Sequence, residues 1–445
     1  MQRGRHHILT ASGVMALATL APSLVACSDT SIEQTARVVT VFGNVTDRDA
    51  DAFITSMASF ERRSGIDVRY VGSANFEADL LERVRRGDPP DLALLPQPGL
   101  LRALAEDGLA LPYDDELEVA ARRDVDQRLI DLASVDGQVF GSWYSVTPKS
   151  LIWFSPRQFA LRGITPPTTW DDLIALTDSL VERGIAPWCL GVRDAGATGW
   201  VATDWVEDLV LRFAGPDTYD GWVTHEIPFS DPQIADSVER FGTIALSSVR
   251  VNGGNRAAVE YTVQQSAQQL LGANPRCLLH RQASFLTDLL QNEVEVAPDG
   301  DLWVFPFPGP ADGTPSMMIG GTAVTRFADR TEVRELAEYL TTAAAASERA
   351  PLGGFISALD SFASDAYPAE LNRTLSRWTR DAEVLRFDAS DLMPPEVGVG
   401  AFWAGMTTWL SGARLSTTLA AIDAAWPEVA VIAPVSDEQR GSSEG

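Results

Sequence analysis

Cysteine and histidine, the residues that most often carry metal or covalent chemistry, are few in this sequence. They stand at Cys27, Cys189, Cys277, His6, His7, His225 and His280. No group of them has the spacing of metal ligands, so we predict no metal site and no cofactor. Lys149 is the only lysine and follows no glycine-rich loop, so the G-x-x-x-x-G-K-[ST] signature of ATPases is absent. We predict that the chain is not an enzyme, although its common carboxylates keep a glycoside hydrolase as the alternative.

Cys27 ends an apolar stretch that has the form of a targeting signal. Arg3 and Arg5 precede the run ILTASGVMALATLAPSL, and the stretch closes on LVAC. A charged start, an apolar middle and small residues before a cut indicate a signal peptide. LVAC is similar to the bacterial lipobox, so we predict a lipoprotein signal at 1–26, a lipid on Cys27 and a tether at 27–36. A non-lipidated signal and an uncleaved anchor are the alternatives. The remaining chain is expected to work outside the cytoplasm, anchored to the cell membrane.

Export makes a disulfide possible between the two remaining cysteines. Cys189 and Cys277 lie in APWCLGV and NPRCLLHRQASF, two short apolar stretches of the kind found at strand ends. A bond between them would close a long loop, for which the chain-entropy relation gives about 4–5 kcal/mol. We predict this disulfide, and two inert buried thiols are the alternative.

The net charge of the chain limits its partners. It is -26 at pH 7, although 45% of the residues are hydrophobic and only 22% are charged. A nucleic-acid binder would show a basic stripe or patch, so we predict no nucleic-acid partner. The same acidity argues against binding an anionic lipid surface through a basic face. The length of 445 residues favours two or three domains.

Strand and helix patterns alternate after the tether. Strands are predicted at 38–43, 67–72 and 91–96, and helices at 49–65, 76–87 and 99–109. This alternation is typical of βαβ units in a parallel sheet, where ligands bind beyond the carboxyl ends of the strands. That rule selects Asn44, Asn75 and Gln97. Later in the chain, helices are predicted at 166–184, 203–214, 232–248, 256–271 and 331–346, and strands at 302–309 and 316–327.

Taken in order, these segments resemble the extracellular solute-binding proteins of carbohydrate ABC importers, the maltose-binding-protein-like group. The likeness covers nearly all of 37–427. It rests on FERRSGIDVRYVGSANFEADLLERVRRGDPPDLALLPQPGLL, PTTWDDL and DLMPPEVGVGAFWAGMTTWLSG. PWCLGV, ATGWVATDWVEDLVLR, CLLHRQASF and RFDASDLMP are similar to the α-glucoside-binding branch. That branch usually has an aspartate after its GG segment, where this chain has Thr322.

The resemblance implies an α/β, two-lobed periplasmic-binding-protein-like (type II) fold, with a ligand cleft between lobes joined by crossing hinge strands. Lobe I maps to 37–147 plus 304–347 and 413–429, lobe II to 148–303 plus 348–410, and a flexible tail to 430–445. The implied monomer captures a sugar, an α-glucoside or a short oligosaccharide, by cleft closure and delivers it to the ABC permease subunits. A secreted glycoside hydrolase, a binder of iron or another small ligand, and a cell-surface sugar sensor are the alternatives.

A sugar cleft needs flat aromatic walls and hydrogen-bonding groups. Trp403 stands at the family's FW position, where a tryptophan packs on a sugar face, and Trp200 and Asp204 lie together in GWVATDW. The further candidates lie near the crossover, on the strand around position 280 and in the glycine pair: Trp143, Tyr144, His280, Arg281, Gln282, Gly320 and Gly321. Structural alternatives are a helix cap for Asp204, a carboxylate partner for Arg281 and a bulge for the glycines. Cap or turn roles are predicted for Asp388 and Asp391, and core positions for Trp153, Trp170, Trp188 and Trp378.

Overall fold

A computed structural model of the protein describes residues 37–290 and 294–427. The predictions for the signal peptide, for the lipid on Cys27, for the tether and for the tail from 430 lie outside those residues. No helix in the described ranges combines the length and the apolar character needed to cross a membrane.

The described residues form strands and helices in alternation. The strands are β1 (Arg37–Gly43), β2 (Ile66–Gly72), β3 (Leu92–Leu95), β4 (Ser134–Val135), β5 (Gln138–Val139), β6 (Gly141–Pro148), β7 (Leu151–Phe154), β8 (Leu279–Arg281), β9 (Trp303–Pro306), β10 (Ser316–Arg326), β11 (Ile356–Ser357) and β12 (Val384–Phe387). The α-helices are α1 (Asp47–Ser64), α2 (Phe76–Arg85), α3 (Pro98–Glu106), α4 (Asp115–Arg122), α5 (Gln127–Leu132), α6 (Pro156–Arg162), α7 (Trp170–Glu182), α8 (Trp200–Phe213), α9 (Pro216–Val223), α10 (Pro232–Ala245), α11 (Asn255–Glu260), α12 (Val263–Gln268), α13 (Thr331–Leu340), α14 (Ala343–Arg349), α15 (Glu370–Asp381), α16 (Ala389–Leu392), α17 (Trp403–Leu410) and α18 (Leu415–Asp423). A π-helical segment, Glu396–Phe402, leads directly into α17.

The first three strands form the predicted parallel units. β1 pairs in parallel with β2 on one side and with β3 on the other. α1 buries Phe53, Met57 and Phe60 on one face, as the helical spacing of these apolar residues predicts. It ends at Gly65, whose φ of 71° is the left-handed conformation that glycine favours at a helix end.

Among the described residues, seven strands make the larger sheet, in the order β11-β6-β10-β3-β1-β2, with β12 pairing in parallel with β10. β10 runs antiparallel to β3 and β6, so the sheet is mixed and not wholly parallel. A smaller antiparallel sheet has the order β8-β7-β9. Buried apolar side chains of the described residues form two clusters. One includes most of the core around the larger sheet, and the other surrounds α8.

Two segments of the C-terminal third pack elsewhere than the expected lobe map places them. Residues 350–387, all expected in lobe II, pack with the larger sheet, because β11 and β12 pair with its strands and α15 buries Leu371 and Leu375 in the first cluster. Conversely α18, assigned to lobe I, packs on the second cluster through Leu419 and Ile422. The carboxylate of Asp423 at its end accepts hydrogen bonds from the backbone of the segment before α10.

Two predicted helices are each divided in two. The helix expected over 256–271 is interrupted at Tyr261, which is extended, and α12 restarts with a capping box between Thr262 and Gln265. The helix expected over 331–346 is interrupted at Thr341, and Thr342 caps the start of α14. Threonine hydroxyls satisfy the free backbone N–H groups at both new helix starts, which explains the restarts.

Candidate functional site

Trp200 begins α8 in a polar and aromatic setting. Its indole N–H donates a hydrogen bond to Asp194, with 2.8 Å between nitrogen and oxygen. The ring centroid of Trp200 lies 5.8 Å from that of Phe285. The Lys149 ammonium lies 5.9 Å from the Trp200 centroid, within the range of a cation–π contact. The side chain is only partly buried, which suits a ligand wall.

Trp403 lies beside this segment, at the start of α17. Its backbone contacts Gly199, the residue before Trp200: a Cβ atom added to Gly199 would lie 2.3 Å from the Trp403 carbonyl oxygen. The indole nitrogen of Trp403 is buried and has no hydrogen-bond partner among the described residues. The structure therefore brings together the backbone segments that carry the two tryptophans singled out by the sequence.

The three candidates at strand ends of the larger sheet, Asn44, Asn75 and Gln97, differ in their contacts with the segment that carries Trp200. Asn75 reaches the turn that carries Asp194, because a Cβ atom added to Gly196 would lie 2.5 Å from the Asn75 Oδ1 atom. Gln97 is buried, and its Oε1 atom accepts no hydrogen bond from the described residues. Asn44 is exposed at the end of β1. Of these three candidates, Asn75 is the one whose contact with the tryptophan segment is seen.

A buried ionic network lies under Trp200. The Lys149 Nζ atom is 3.2 Å from the Asp204 carboxylate, also contacts Asp388, and lies 4.0 Å from the Asp391 carboxylate. Asp204 also pairs with Arg281, at 2.6 Å. In the described part of the chain the network has three cationic and five acidic side chains: Lys149, Arg212, Arg281, Asp204, Glu207, Asp208, Asp388 and Asp391.

Burial and, after it, the neighbouring charges shift the pKa values of the groups in this network. Burial raises the pKa of Asp204 to about 6 and raises the pKa values of Glu207 and Asp391 well above the ordinary carboxyl value. Burial also acts to raise the pKa of Asp388, but the charge and hydrogen bond of Lys149 outweigh it and hold that pKa below its usual range. For Lys149, burial is outweighed by the surrounding carboxylates, which raise its pKa well above the ordinary value. The shifts therefore favour the charged form of Lys149 and the protonated forms of Glu207 and Asp391.

The carboxylate oxygens of Asp204, Glu207 and Asp388 lie within 4.8 Å of one another, a spacing that would suit a metal ion. Two of the three already contact the Lys149 ammonium, which supplies the positive charge that a cation would bring. Asp388 also caps α16 by accepting from the Asp391 backbone N–H, as its sequence position predicts. The chemistry of this set is ion pairing and positioning.

Several sequence candidates lie in the core. Trp143 is fully buried and donates its indole N–H to the Leu129 carbonyl, and Tyr144 packs on Phe53 and Phe355. Their rings fill the larger sheet's core, so in this structure they offer no wall to a cleft.

The residues around position 280 are also buried. His280 Nδ1 lies 2.7 Å from the Cys189 carbonyl oxygen, and burial lowers the pKa of the ring to about 4. The Arg281 side chain has no exposed surface, and its guanidinium pairs with Asp204 and Asp208. Arg281 therefore has the carboxylate partners that were the alternative to ligand binding. Gln282 is buried, and its Oε1 atom accepts from the next backbone N–H.

Gly320 and Gly321 are both closely packed against other residues of the protein. A Cβ atom on Gly321 would lie 2.7 Å from the Ser145 carbonyl oxygen and 2.8 Å from the Trp143 ring, and the β6–β10 register shifts nearby, between Thr322 and Ala323. A Cβ atom on Gly320 would lie 3.1 Å from the Lys149 side chain. Gly321 keeps a regular partner, Val146, just before the register shift, and Gly320 makes room for the lysine.

Cys189 and Cys277 are bonded in the structure, with Cα atoms 5.3 Å apart. Lys149 is the functional candidate that sequence reasoning missed. One signal was available: a single lysine among 35 basic residues, placed in a short turn between two apolar strands.

The chain is similar to known proteins over most of its length. The profile of the family described as bacterial extracellular solute-binding protein matches residues 46–347. An osmoprotective compounds-binding protein of Synechocystis sp. is 38% identical over 392 residues, which cover 87% of this chain and 92% of that protein. An alpha-glucosides-binding periplasmic protein of Rhizobium meliloti is 33% identical over 401 residues, 88% of each chain. The solved structure of the bacterial solute receptor AcbH superimposes with a TM-score of 0.75 at 17% identity, covering 87% of this chain and 97% of the receptor. This likeness confirms the predicted α/β, two-lobed, type II fold.

Proposed function

Because this chain belongs to the bacterial extracellular solute-binding protein family, we propose that it captures a sugar for an ABC importer. The family assignment confirms the resemblance seen in the sequence. The substrate that we favour is an α-glucoside or a short oligosaccharide. The relatives are binding proteins, which supports the prediction that this chain is not an enzyme.

The observation that carries the proposal is the contact between the Gly199–Trp200 segment and Trp403. It brings the backbone of Trp403 against the residue before Trp200; the Trp200 indole donates to the Asp194 carboxylate, and the Trp403 indole N–H is buried and unpaired among the described residues. Sugars combine weakly apolar ring faces with hydroxyl groups that donate and accept hydrogen bonds. Aromatic faces next to such polar groups bind ligands of that chemistry.

The names of the two relatives guide the choice of substrate. One is named for α-glucosides and the other for osmoprotective compounds, and both align with nearly the whole chain. An α-glucoside is the ligand named for the Rhizobium meliloti relative, and its sugar rings suit the aromatic side chains of Trp200 and Trp403. Thr322, which replaces the aspartate usual in the α-glucoside branch, lies partly buried on β10 and is a position where specificity would differ.

Delivery requires a membrane partner and a tether. We infer that the lobes close on the sugar, that permease subunits recognise the closed form, and that a partner ATPase supplies the energy. A lipid on Cys27 would hold the protein at the outer face of the cell membrane. Treating cells with globomycin should leave an unprocessed precursor, and normal maturation would refute the lipid anchor.

A thermal-shift screen tests the sugar proposal. Residues 28–445 are heated with mono- and disaccharides, including sucrose, trehalose and maltose. A ligand at a hundred times its Kd stabilises by about 2.7 kcal/mol, so a true substrate gives a clear shift. No shift with any of these sugars would count against the proposal. Release of chromophore from a chromogenic glycoside would favour the hydrolase alternative instead.

A further inference from the structure

Within the described residues the chain passes between the larger and the smaller part of the fold three times. The first crossing is 148–151, between β6 and β7. The second is 307–315, between β9 and β10. The third is 387–389, which joins β12 to α16. In a two-lobed binding protein such crossings form the hinge, so the groups that bind them set how the lobes move.

The first crossing is bonded to the buried face of α8. Asp204 accepts from the Lys149 ammonium at 3.2 Å, and Asp208 accepts from the Ser150 hydroxyl at 2.5 Å. The same Ser150 oxygen accepts from the Met318 backbone N–H at 2.7 Å, which extends the contact to β10. The crossing is therefore held by side chains that are themselves buried and paired.

The other two crossings are bonded to the same helix. The Arg212 guanidinium donates to the Phe307 carbonyl at 3.0 Å and to the Ser316 carbonyl at 2.8 Å, at the two ends of the second crossing. Glu207 accepts from the Ala389 backbone N–H at 2.8 Å, in the third crossing. Since residues three and four apart share a helix face, α8 presents one polar ridge to all three crossings.

Lys149 is the member of this arrangement that joins two crossings directly. It lies in the first crossing, and its ammonium binds Asp388 in the third as well as Asp204 on α8. The room for it is narrow, because Gly320 lies against its side chain. Its ammonium also lies under the ring of Trp200. One cation thus touches two crossings, the ridge and the aromatic wall of the proposed cleft.

We propose that Lys149 is a positioning residue for ligand capture: its bridge between Asp204 and Asp388 restricts the motion of the two lobes. The inference rests on the proposed function, because it assumes lobes that close on a ligand. Removing one partner of a buried ion pair leaves an uncompensated buried charge. Without Lys149, the carboxylates of Asp204 and Asp388 would repel each other, and the segments that carry them would separate more easily. Lys149→Met should therefore loosen the hinge as well as lower stability.

The experiment measures the distance between the lobes without any sugar. Spin labels are placed at Val119→Cys on α4 and Leu161→Cys on α6, which are 62% and 78% exposed. The chain carries Cys27→Ser, so that the native disulfide and the two labels account for its cysteines. We expect the width of the double electron–electron resonance distance distribution to increase at least twofold in Lys149→Met.

Asn372→Ala is the matched control. The Asn372 amide is buried and donates to the Phe355 carbonyl at 2.8 Å, away from the crossings. It should lower the melting temperature without widening the distribution. If Lys149→Met does not fold, Lys149→Gln, which keeps a donor without the charge, replaces it and should also widen the distribution. A wild-type width in the folded Lys149 variant, with a melting temperature lowered as in the control, would overturn the proposal.

The two hypotheses can fail separately. The sugar screen tests the wild-type chain and decides the proposed function. The distance measurement is made without sugar, so a widened distribution supports the positioning role whatever the screen finds.

Discussion

The backbone of Gly199 lies directly against that of Trp403, so closely that a Cβ atom on Gly199 would come within 2.3 Å of the Trp403 carbonyl oxygen. Gly199 has a φ of 119°, a conformation that residues with side chains rarely adopt. The glycine therefore serves two needs, backbone freedom and close approach. The approach sets the distance between the two tryptophans of the proposed cleft.

Gly199→Ala should weaken sugar binding. The added methyl group would push α17 and the start of α8 apart, so we expect the Kd of the best sugar from the screen to rise at least tenfold, measured by calorimetry. Gly412→Ala is the matched control. Gly412 also has a positive φ, 111°, but no atom lies within 4 Å of its added Cβ. Equal affinity losses in both variants would mean that backbone strain, and not the contact with Trp403, is responsible.

Trp403→Ala should abolish the thermal shift with that sugar. If the indole packs on a sugar face, removing it loses both the apolar contact and the free N–H donor. Trp378→Ala is the control, since Trp378 packs against the first hydrophobic cluster and takes no part in the proposed cleft. Both variants should melt at lower temperature than the wild type. Retained sugar binding in folded Trp403→Ala would remove this residue from the site.

The Cys189–Cys277 bond should stabilise the fold. The bond joins residues 88 positions apart, for which the chain-entropy relation gives about 4–5 kcal/mol. Replacing both cysteines by serine should lower the unfolding free energy by that order in guanidinium titrations. Reduced wild-type protein should match the double variant. Mass spectrometry of the unreduced mature protein should show the linked peptide, and free thiols at both positions would contradict the bond.

His280 should make the protein lose stability in acid. Its folded pKa, lowered by burial to about 4, lies below the value of about 6.5 for an unfolded histidine. The unfolded chain therefore binds the proton first, and stability is lost as the pH falls from about 6.5 to about 4. Compared with His280→Asn, the wild type should lose up to about 3 kcal/mol more between pH 7 and pH 4, in urea titrations. Parallel pH curves would contradict this prediction.

Glu77 should lower the stability of the protein at high pH, whereas His280 lowers it in acid. Glu77 and Asp391 line the same small cavity. Burial and, to a smaller extent, the negative charge of Glu396 raise the pKa of Glu77 to about 7. The folded state then binds this proton more tightly than the unfolded state, so the carboxyl group costs stability above about pH 4.3 and most above pH 7.

Glu77→Gln should therefore stabilise the protein by about 1–3 kcal/mol at pH 8 and by almost nothing at pH 4.5. Glu82→Gln, an exposed change on the same helix, should have little effect at either pH. A gain from Glu77→Gln that is the same at both pH values would show that the change acts through packing and not through the proton.

Short-range patterns are enough to predict the βαβ start of the fold. The apolar spacing of α1, its glycine end and the buried runs of β1 and β3 all follow from a few neighbouring residues. The C-terminal third is different. β12 and α18 each have an amphipathic or apolar pattern, but nothing in it states which sheet or which cluster receives them. The strand joins the larger sheet because β10 offers free backbone groups, and α18 joins the second cluster because α10 and α17 leave an apolar surface there.

The candidate site divides in the same way. Trp200 and Trp403 can be chosen as candidates from the sequence, because the segments GWVATDW and FW distinguish them from the other tryptophans. Whether Trp143 lines a cleft or fills a core depends on the distant segments that pack on its ring, here those of Phe387 and Leu129, and residue type does not report them. Lys149 has no partner nearby in the sequence, and its partners Asp204 and Asp388 reach it only when three distant segments meet. Helix and strand formation depends on neighbours along the chain, whereas a buried ion network depends on which segments the tertiary fold brings within a few ångströms.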